Sequence, residues 1–283
     1  MAAEIEPLNF IRDECPNLWA LLNERAKVCL PTGLVEFLSG SLAEQGRSHL
    51  MRADVHISRL LARTSQKRVG DTYRRDISGV SGEARLAELL CEIALASSLG
   101  LISTVPPVLR PKTVWGTECD VKVNVAGHDV YGEAKRLADR WSGTPRSIRK
   151  SPKESRPSGA IRPRSMDLFS KLADVHKQFP AASLNVVFLF HPSSGVVGNI
   201  HSYITQALFG DQAGVGSPQS PFLQDDRLFS LSSWRTISAC AHTRVNEDGV
   251  LSVVRIWPNP NAQVLLPDHV STALTRRLTA RST

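Results

Sequence analysis

The sequence has no CxxC pair: its five cysteines, Cys15, Cys29, Cys91, Cys119 and Cys240, are scattered and odd in number. That argues against structural zinc and favours a reducing, cytoplasmic setting. No apolar run approaches the roughly 18 to 20 residues of a membrane span, so no membrane partner is expected. The opening MAAEIEPLNF is acidic and lacks a basic stretch followed by an apolar one, so no signal peptide is expected. None of the eight histidines falls in an HExxH pattern. Gly214-Val215-Gly216 lacks the third glycine and the strand-to-helix setting of a nucleotide fold, and no P-loop lysine follows. Gly79-Val80-Ser81-Gly82 reads as a helix cap and not as a nucleophile elbow, because no strand precedes it.

What the sequence does hold is room for one good-sized core plus an accessory region, in 283 residues of which 42% are hydrophobic. The net charge of +7 points to an anionic partner, and its distribution is more telling than its total. Residues 1–46 carry seven acidic and three basic side chains, whereas 47–75 carry eight basic and two acidic. Residues 140–164 carry eight basic side chains against Glu154 alone. Two positive segments therefore flank the middle of the chain.

Between them lies Thr117 to Leu137, TECDVKVNVAGHDVYGEAKRL. Apolar and polar residues alternate from Cys119 to Val125, and the alternation resumes from Asp129, which predicts two strands around a turn at Ala126-Gly127. The pattern sets Cys119, Val121, Val123 and Val125 on one face and Asp120, Glu133 and Lys135 on the other. A two-residue loop puts Val125 opposite His128 and Asp120 opposite Glu133; moving the loop by one residue puts Asp120 opposite Lys135 instead. Two adjacent carboxylates repel unless a cation sits between them, and a hard divalent ion such as Mg²⁺ takes oxygen ligands of this kind.

Asp120, twelve intervening residues, then Glu133-Ala134-Lys135 resembles the PD-(D/E)XK nuclease superfamily, over roughly residues 78–190. Cys119 stands where that motif's name has proline. The resemblance implies a restriction-endonuclease-like α/β core, a central mixed sheet flanked by helices. It further implies a metal held by Asp120, Glu133 and the backbone carbonyl of Ala134, with Lys135 orienting water. A helix acid upstream is often part of such sites, and Glu83 is the position that matches. Lys171 and Gln178 are accessory candidates from the second helix of the core.

The rest of the chain is read around that core. Residues 1–77 are expected to be a helical region, with helices over Pro16–Lys27, Thr32–Glu44 and Ala53–Arg63 capped by Asn17, Thr32 and Asp54. Residues 78–283 would form the core. Ser81–Leu99 is expected to be a helix with Glu83 inside its apolar arc and Glu88 and Glu92 on its surface. Leu99–Arg110 then reads as a strand interrupted by Pro106-Pro107. A basic loop follows at 139–165, then a helix over Met166–Phe179 and a strand over Leu184–Phe190 apolar on both sides. A short helix over Ile200–Phe209, a C-terminal hairpin of Leu228–Val245 with Val250–Trp257, and a last helix over Val270–Leu278 complete the reading.

The function expected from these residues is metal-dependent phosphodiester hydrolysis, with Mg²⁺ or alternatively Mn²⁺. The partner is nucleic acid, DNA before RNA, and the setting restriction, antiviral defence or repair. Arg146, Arg149, Lys150, Lys153 and Arg156 of the loop, with Arg59 and Arg63 of the third helix, are the expected phosphate contacts. Cutting both strands of a duplex calls for two sites, hence a homodimer. The alternatives are a catalytically inactive nucleic-acid-binding module, or a structural protein in which Asp120 and Lys135 form a surface ion pair.

Overall fold

The structure, a computed structural model, describes residues 2–39, 43–113, 116–137, 168, 171–191, 197–210, 227–245 and 251–279. Its centre is one mixed six-stranded sheet in sequential order: β1 (Val108–Leu109), β2 (Val121–Val125), β3 (His128–Arg136), β4 (Leu184–Phe190), β5 (Ala239–Val245) and β6 (Leu251–Pro258). β3, β4 and β5 run parallel, while β1–β2, β2–β3 and β5–β6 are antiparallel. With helices on the sheet, the chain is an α/β protein. Among the described residues, no helix is long and apolar enough to cross a membrane.

β4 is buried at all seven positions, as its apolar residues require of a strand covered on both faces, and its one polar side chain, Asn185, donates to the Pro180 and Thr236 carbonyls. Its alternate residues divide the interior. Val186, Phe188 and Phe190 join a cluster with Val121, Val123, Val125 and the N-terminal helices; Val187 and Leu189 join a second with Leu168, Leu172, Val175, Phe179 and Trp234.

Among the described residues, six helices precede the core: α1 (Ala2–Glu14), α2 (Pro16–Leu21), α3 (Glu24–Val28), α4 (Thr32–Leu38), α5 (Ala43–Arg63) and α6 (Gln66–Ser78). Asp54, expected to cap a helix of its own, lies inside α5. Its carboxylate instead accepts from the Leu18 amide and the Asn17 side chain, both at 2.8 Å, and so satisfies one of the free amides at the start of α2. The helix expected from Pro16 to Lys27 is broken at Leu22, and Asn23, accepting from the Ala26 amide at 2.8 Å, caps the new helix α3.

α7 (Glu83–Ile102) lies against the sheet and runs past the expected end at Leu99. Gly100 is a contact and not a terminator, since a Cβ there would meet Pro107 at 3.3 Å. The expected strand over Leu99–Arg110 accordingly shrinks to the two residues of β1. After β3, residues 168, 171 and 172 are helical, but the expected helix ends in a 3-10 turn over Val175–Gln178. α8 (Val197–Phe209) and α9 (Asp268–Thr279) complete the described helices. Residues 228–236, expected to be strand, form two 3-10 turns, and β5 begins only at Ala239.

Candidate functional site

The β2–β3 hairpin closes through Ala126 (φ 51°) and Gly127 (φ 86°), both left-handed, as a two-residue turn between twisted strands requires. This turn pairs Val125 with His128 and continues to Val121 with Gly132. The next step of that register sets Asp120 against Glu133, but the chain bends at Asp120 and leaves the ladder. The bend corrects the expected alternation: Cys119 packs with Leu137 and Leu168, in the cluster opposite to that of Val121. Freed from the strand, the Asp120 carboxylate accepts from the Ala134 amide at 2.6 Å. In an extended strand a residue's amide and carbonyl face the same side, so the Ala134 carbonyl is directed to the Asp120 side as well.

Glu133 and Lys135 lie on β3 against Val187 and Leu189 of β4. Lys135 Nζ donates to Glu133 Oε1 at 2.7 Å. Glu133 Oε2 is buried without a hydrogen-bond partner. Asp120 is 8% exposed and Glu133 2%, so two acids share a site with one adjacent lysine. Burial, then the charges of Glu133 and Glu92, raise the Asp120 carboxyl well above the ordinary range, against the pull of the Ala134 amide and Lys135. Glu133 is also raised, by burial first and by Glu92, although Lys135 opposes it. Burial pushes the Cys119 thiol up, with both carboxylates adding to the effect, which leaves it a poor nucleophile.

The acid that α7 contributes is Glu92, and this corrects the expectation for Glu83. Glu83 is exposed at the first residue of α7, where its amide donates to Glu36 at 3.2 Å. Glu92, expected on the surface, is 9% exposed and acts electrostatically on both Asp120 and Glu133. The apolar arc misleads because α7 is buried around most of its circumference from Leu86 to Ile102, while its first turn stands clear of the sheet. Arg110 Nη2 donates to Glu92 Oε2 at 2.8 Å and Nη1 to Asp76 at 2.5 Å. Both Glu92 and Arg110 escaped the sequence reading; their pairing joins residues 18 apart through packing alone.

Lys171 donates to the Arg136 carbonyl, and its ammonium is held below the ordinary lysine range, by burial first and then by Arg136 and Lys135, with Glu88 opposing. Gln178 is half-buried in the 3-10 turn; among the described residues no hydrogen bond joins it to Asp120, Glu133 or Lys135. Arg59 is half-buried on α5 near His56. Arg63 donates to the Ser103 carbonyl at 2.7 Å, which ties α5 to the end of α7. The exposed cations of this region are those of α6: Lys67, Arg68, Arg74 and Arg75. Arg146, Arg149, Lys150, Lys153 and Arg156 lie outside the described residues.

Among the described residues, no group of three or more His, Cys, Asp or Glu side chains has the arrangement of a metal site. What the site offers is a pair of buried carboxylates, a lysine on one of them, a third acid held by an arginine, and an oxygen of Glu133 with no donor. No family model, curated protein or solved structure matches this chain.

Proposed function

We propose that the protein is a metal-dependent nuclease of the PD-(D/E)XK type that hydrolyses phosphodiester bonds, with DNA as substrate because the resembled enzymes mostly cut DNA. One observation carries the reading: Asp120 and Glu133 are buried side by side at the end of a hairpin, and Glu133 Oε2 has no partner. An acid oxygen buried without a donor costs on the order of 1–3 kcal/mol, more if charged, and two such neighbours repel. Folded chains keep an arrangement of this kind where a ligand relieves it.

The donor set fits a hard divalent cation. Asp120, Glu133 and the Ala134 carbonyl would hold Mg²⁺, an ion usually bound by one or two carboxylates with phosphate and water completing its shell. Bound there, it would supply a Lewis acid for a phosphoryl oxygen and lower the pKa of a water. Lys135, which donates to Glu133 Oε1, would donate to a phosphoryl oxygen as negative charge builds on it. In the hydrolysis, water oxygen bonds to phosphorus, the ester bond to one sugar oxygen breaks, and that oxygen leaves with a proton. Lys171 and Arg136, beside Lys135, add positive charge where a substrate phosphate would sit. Further in the same reading, α6 and the basic loop steer the nucleic acid and a homodimer cuts both strands.

The test is cleavage of supercoiled plasmid and of short single- and double-stranded DNA with Mg²⁺ or Mn²⁺, by wild type, Glu133→Ala and Lys135→Ala. Metal-dependent nicking by the wild type that both variants lose, while DNA binding persists, is the expected result. Tight, salt-sensitive binding without cleavage in any of the three would replace this reading with the inactive binding module.

A further inference from the structure

Among the described residues, Arg110 is one of three non-glycine residues in the left-handed region, with φ 43°, and the other two offer no comparable set of bonds. Its amide donates to the Asp120 carbonyl at 2.9 Å. Its guanidinium bridges Glu92 at 2.8 Å and Asp76 at 2.5 Å, reaches the Thr72 carbonyl at 3.3 Å, and stacks 5.3 Å from the centre of the Tyr73 ring. A non-glycine residue held in a costly conformation persists only where its surroundings over-determine it. Here they do so from both ends: the backbone of Arg110 touches Asp120, and its side chain touches Glu92.

We propose that Arg110 is a positioning residue for the carboxylate site. One planar fork holds Glu92 on α7 and Asp76 on α6, while the same residue's amide pins the bend that turns the Asp120 carboxylate out of β2. Lysine, a point charge, cannot span two acids in this way. Arg85 approaches Glu92 at 3.6 Å, outside hydrogen-bond distance, and is half-exposed, so it does not substitute. The inference rests on the hydrolytic reading above and adds to it a residue that touches neither substrate nor metal.

The experiment uses Arg110→Gly, which accepts the left-handed backbone without strain and removes the whole side chain, guanidinium included, while keeping the backbone amide. Nicking rates across a Mn²⁺ titration are measured for wild type, Arg110→Gly, Arg110→Lys, Glu92→Gln and the double variant, alongside melting temperature. Arg110→Gly should lose about 10- to 100-fold in rate, the range of a residue supporting a metal ligand. Arg110→Lys should not restore it, added methylguanidinium should restore part of it, and the double variant should be no slower than Glu92→Gln. Three results overturn the proposal: an Arg110→Gly rate within twofold of wild type, losses that multiply in the double variant, or a loss that follows melting and resists methylguanidinium. A wild type that neither binds Mn²⁺ nor cleaves removes the hydrolytic reading and this inference together. An active wild type with an unaffected Arg110→Gly removes the inference alone.

Discussion

Two antiparallel pairs flank the buried strand β4, and each brings polar groups onto the sheet by a different device. In β2–β3 the pairing is regular up to a two-residue turn, and the groups delivered are the carboxylates of Asp120 and Glu133 with Lys135. In β5–β6 the register shifts between His242 and Thr243, and the group delivered is an imidazole. His242 is fully buried; its Nδ1 lies 3.0 Å from His201 Nε2 on α8, and its Nε2 has no hydrogen-bond partner. A regular ladder carries parity over its whole length, so its polar row is set by the turn. A shifted ladder loses parity at the bulge, and a helix from elsewhere supplies the partner.

The two pairs also respond to protons in opposite directions. Asp120 and Glu133 titrate above their ordinary values of 3.8 and 4.5 in the folded chain, so the fold binds more protons than the unfolded chain as pH rises past those values. Their contribution to stability is therefore present at low pH and lost as pH rises through the folded values. His242 titrates at about 3 instead of 6.5, through burial first and then His201, His191 and Arg244. Its contribution is present above 6.5 and lost as pH falls toward 3.

Under the proposed hydrolytic function, the largest effect separating the two hairpins is on cleavage. Glu133→Ala should lower the nicking rate by roughly 100-fold or more, whereas His242→Gln should leave it within a few-fold; equal losses from the two would end the distinction. Next comes packing at the root of the first hairpin. A Cβ on Gly132 would meet Phe188 and Val121 at 3.2 Å and Leu99 at 3.3 Å. Gly132→Val should thus cost about 1–3 kcal/mol in urea unfolding, and a neutral result would show that α7 can draw back from the sheet.

The pH slopes sharpen the comparison further. Between about pH 4.5 and 6.5, Asp120→Asn/Glu133→Gln should make stability rise more steeply with pH than in the wild type, because it removes the falling contribution. His242→Gln should flatten the rise. Each group changes the slope by at most about 1.4 kcal/mol per pH unit, and urea midpoints across that range would measure it. At neutral pH the doubly amidated variant should also melt higher than the wild type, by about 2–4 °C per kcal/mol of relieved repulsion. A lower melting temperature would mean that the acids are well satisfied as they stand. The smallest change expected is at the turn. Ala126→Gly removes a left-handed alanine and should stabilise by about 1 kcal/mol or less, whereas a loss would show that the turn is held by more than its backbone angles.

The hairpin was legible because everything that sets it is local. Alternation of two over Val121–Val125, a turn at Ala126-Gly127 and the placement of Glu133 and Lys135 follow from residues fewer than 20 positions apart. The six apolar residues of β4 required burial on both faces wherever the chain put them. By themselves those residues determined the shared face of Glu133 and Lys135 and the buried central strand, whereas the choice between the two hairpin registers came from the folded structure. Tertiary structure alone decided that Cys119 leaves the row of Val121, that Asp54 caps α2, and that Glu92 and not Glu83 acts electrostatically on the carboxylates. Each of these depends on which element lies across from the residue. A helix apolar on most sides states that it is buried without stating where, and an ion pair such as Arg110 with Glu92 exists only once β1 and α7 have packed.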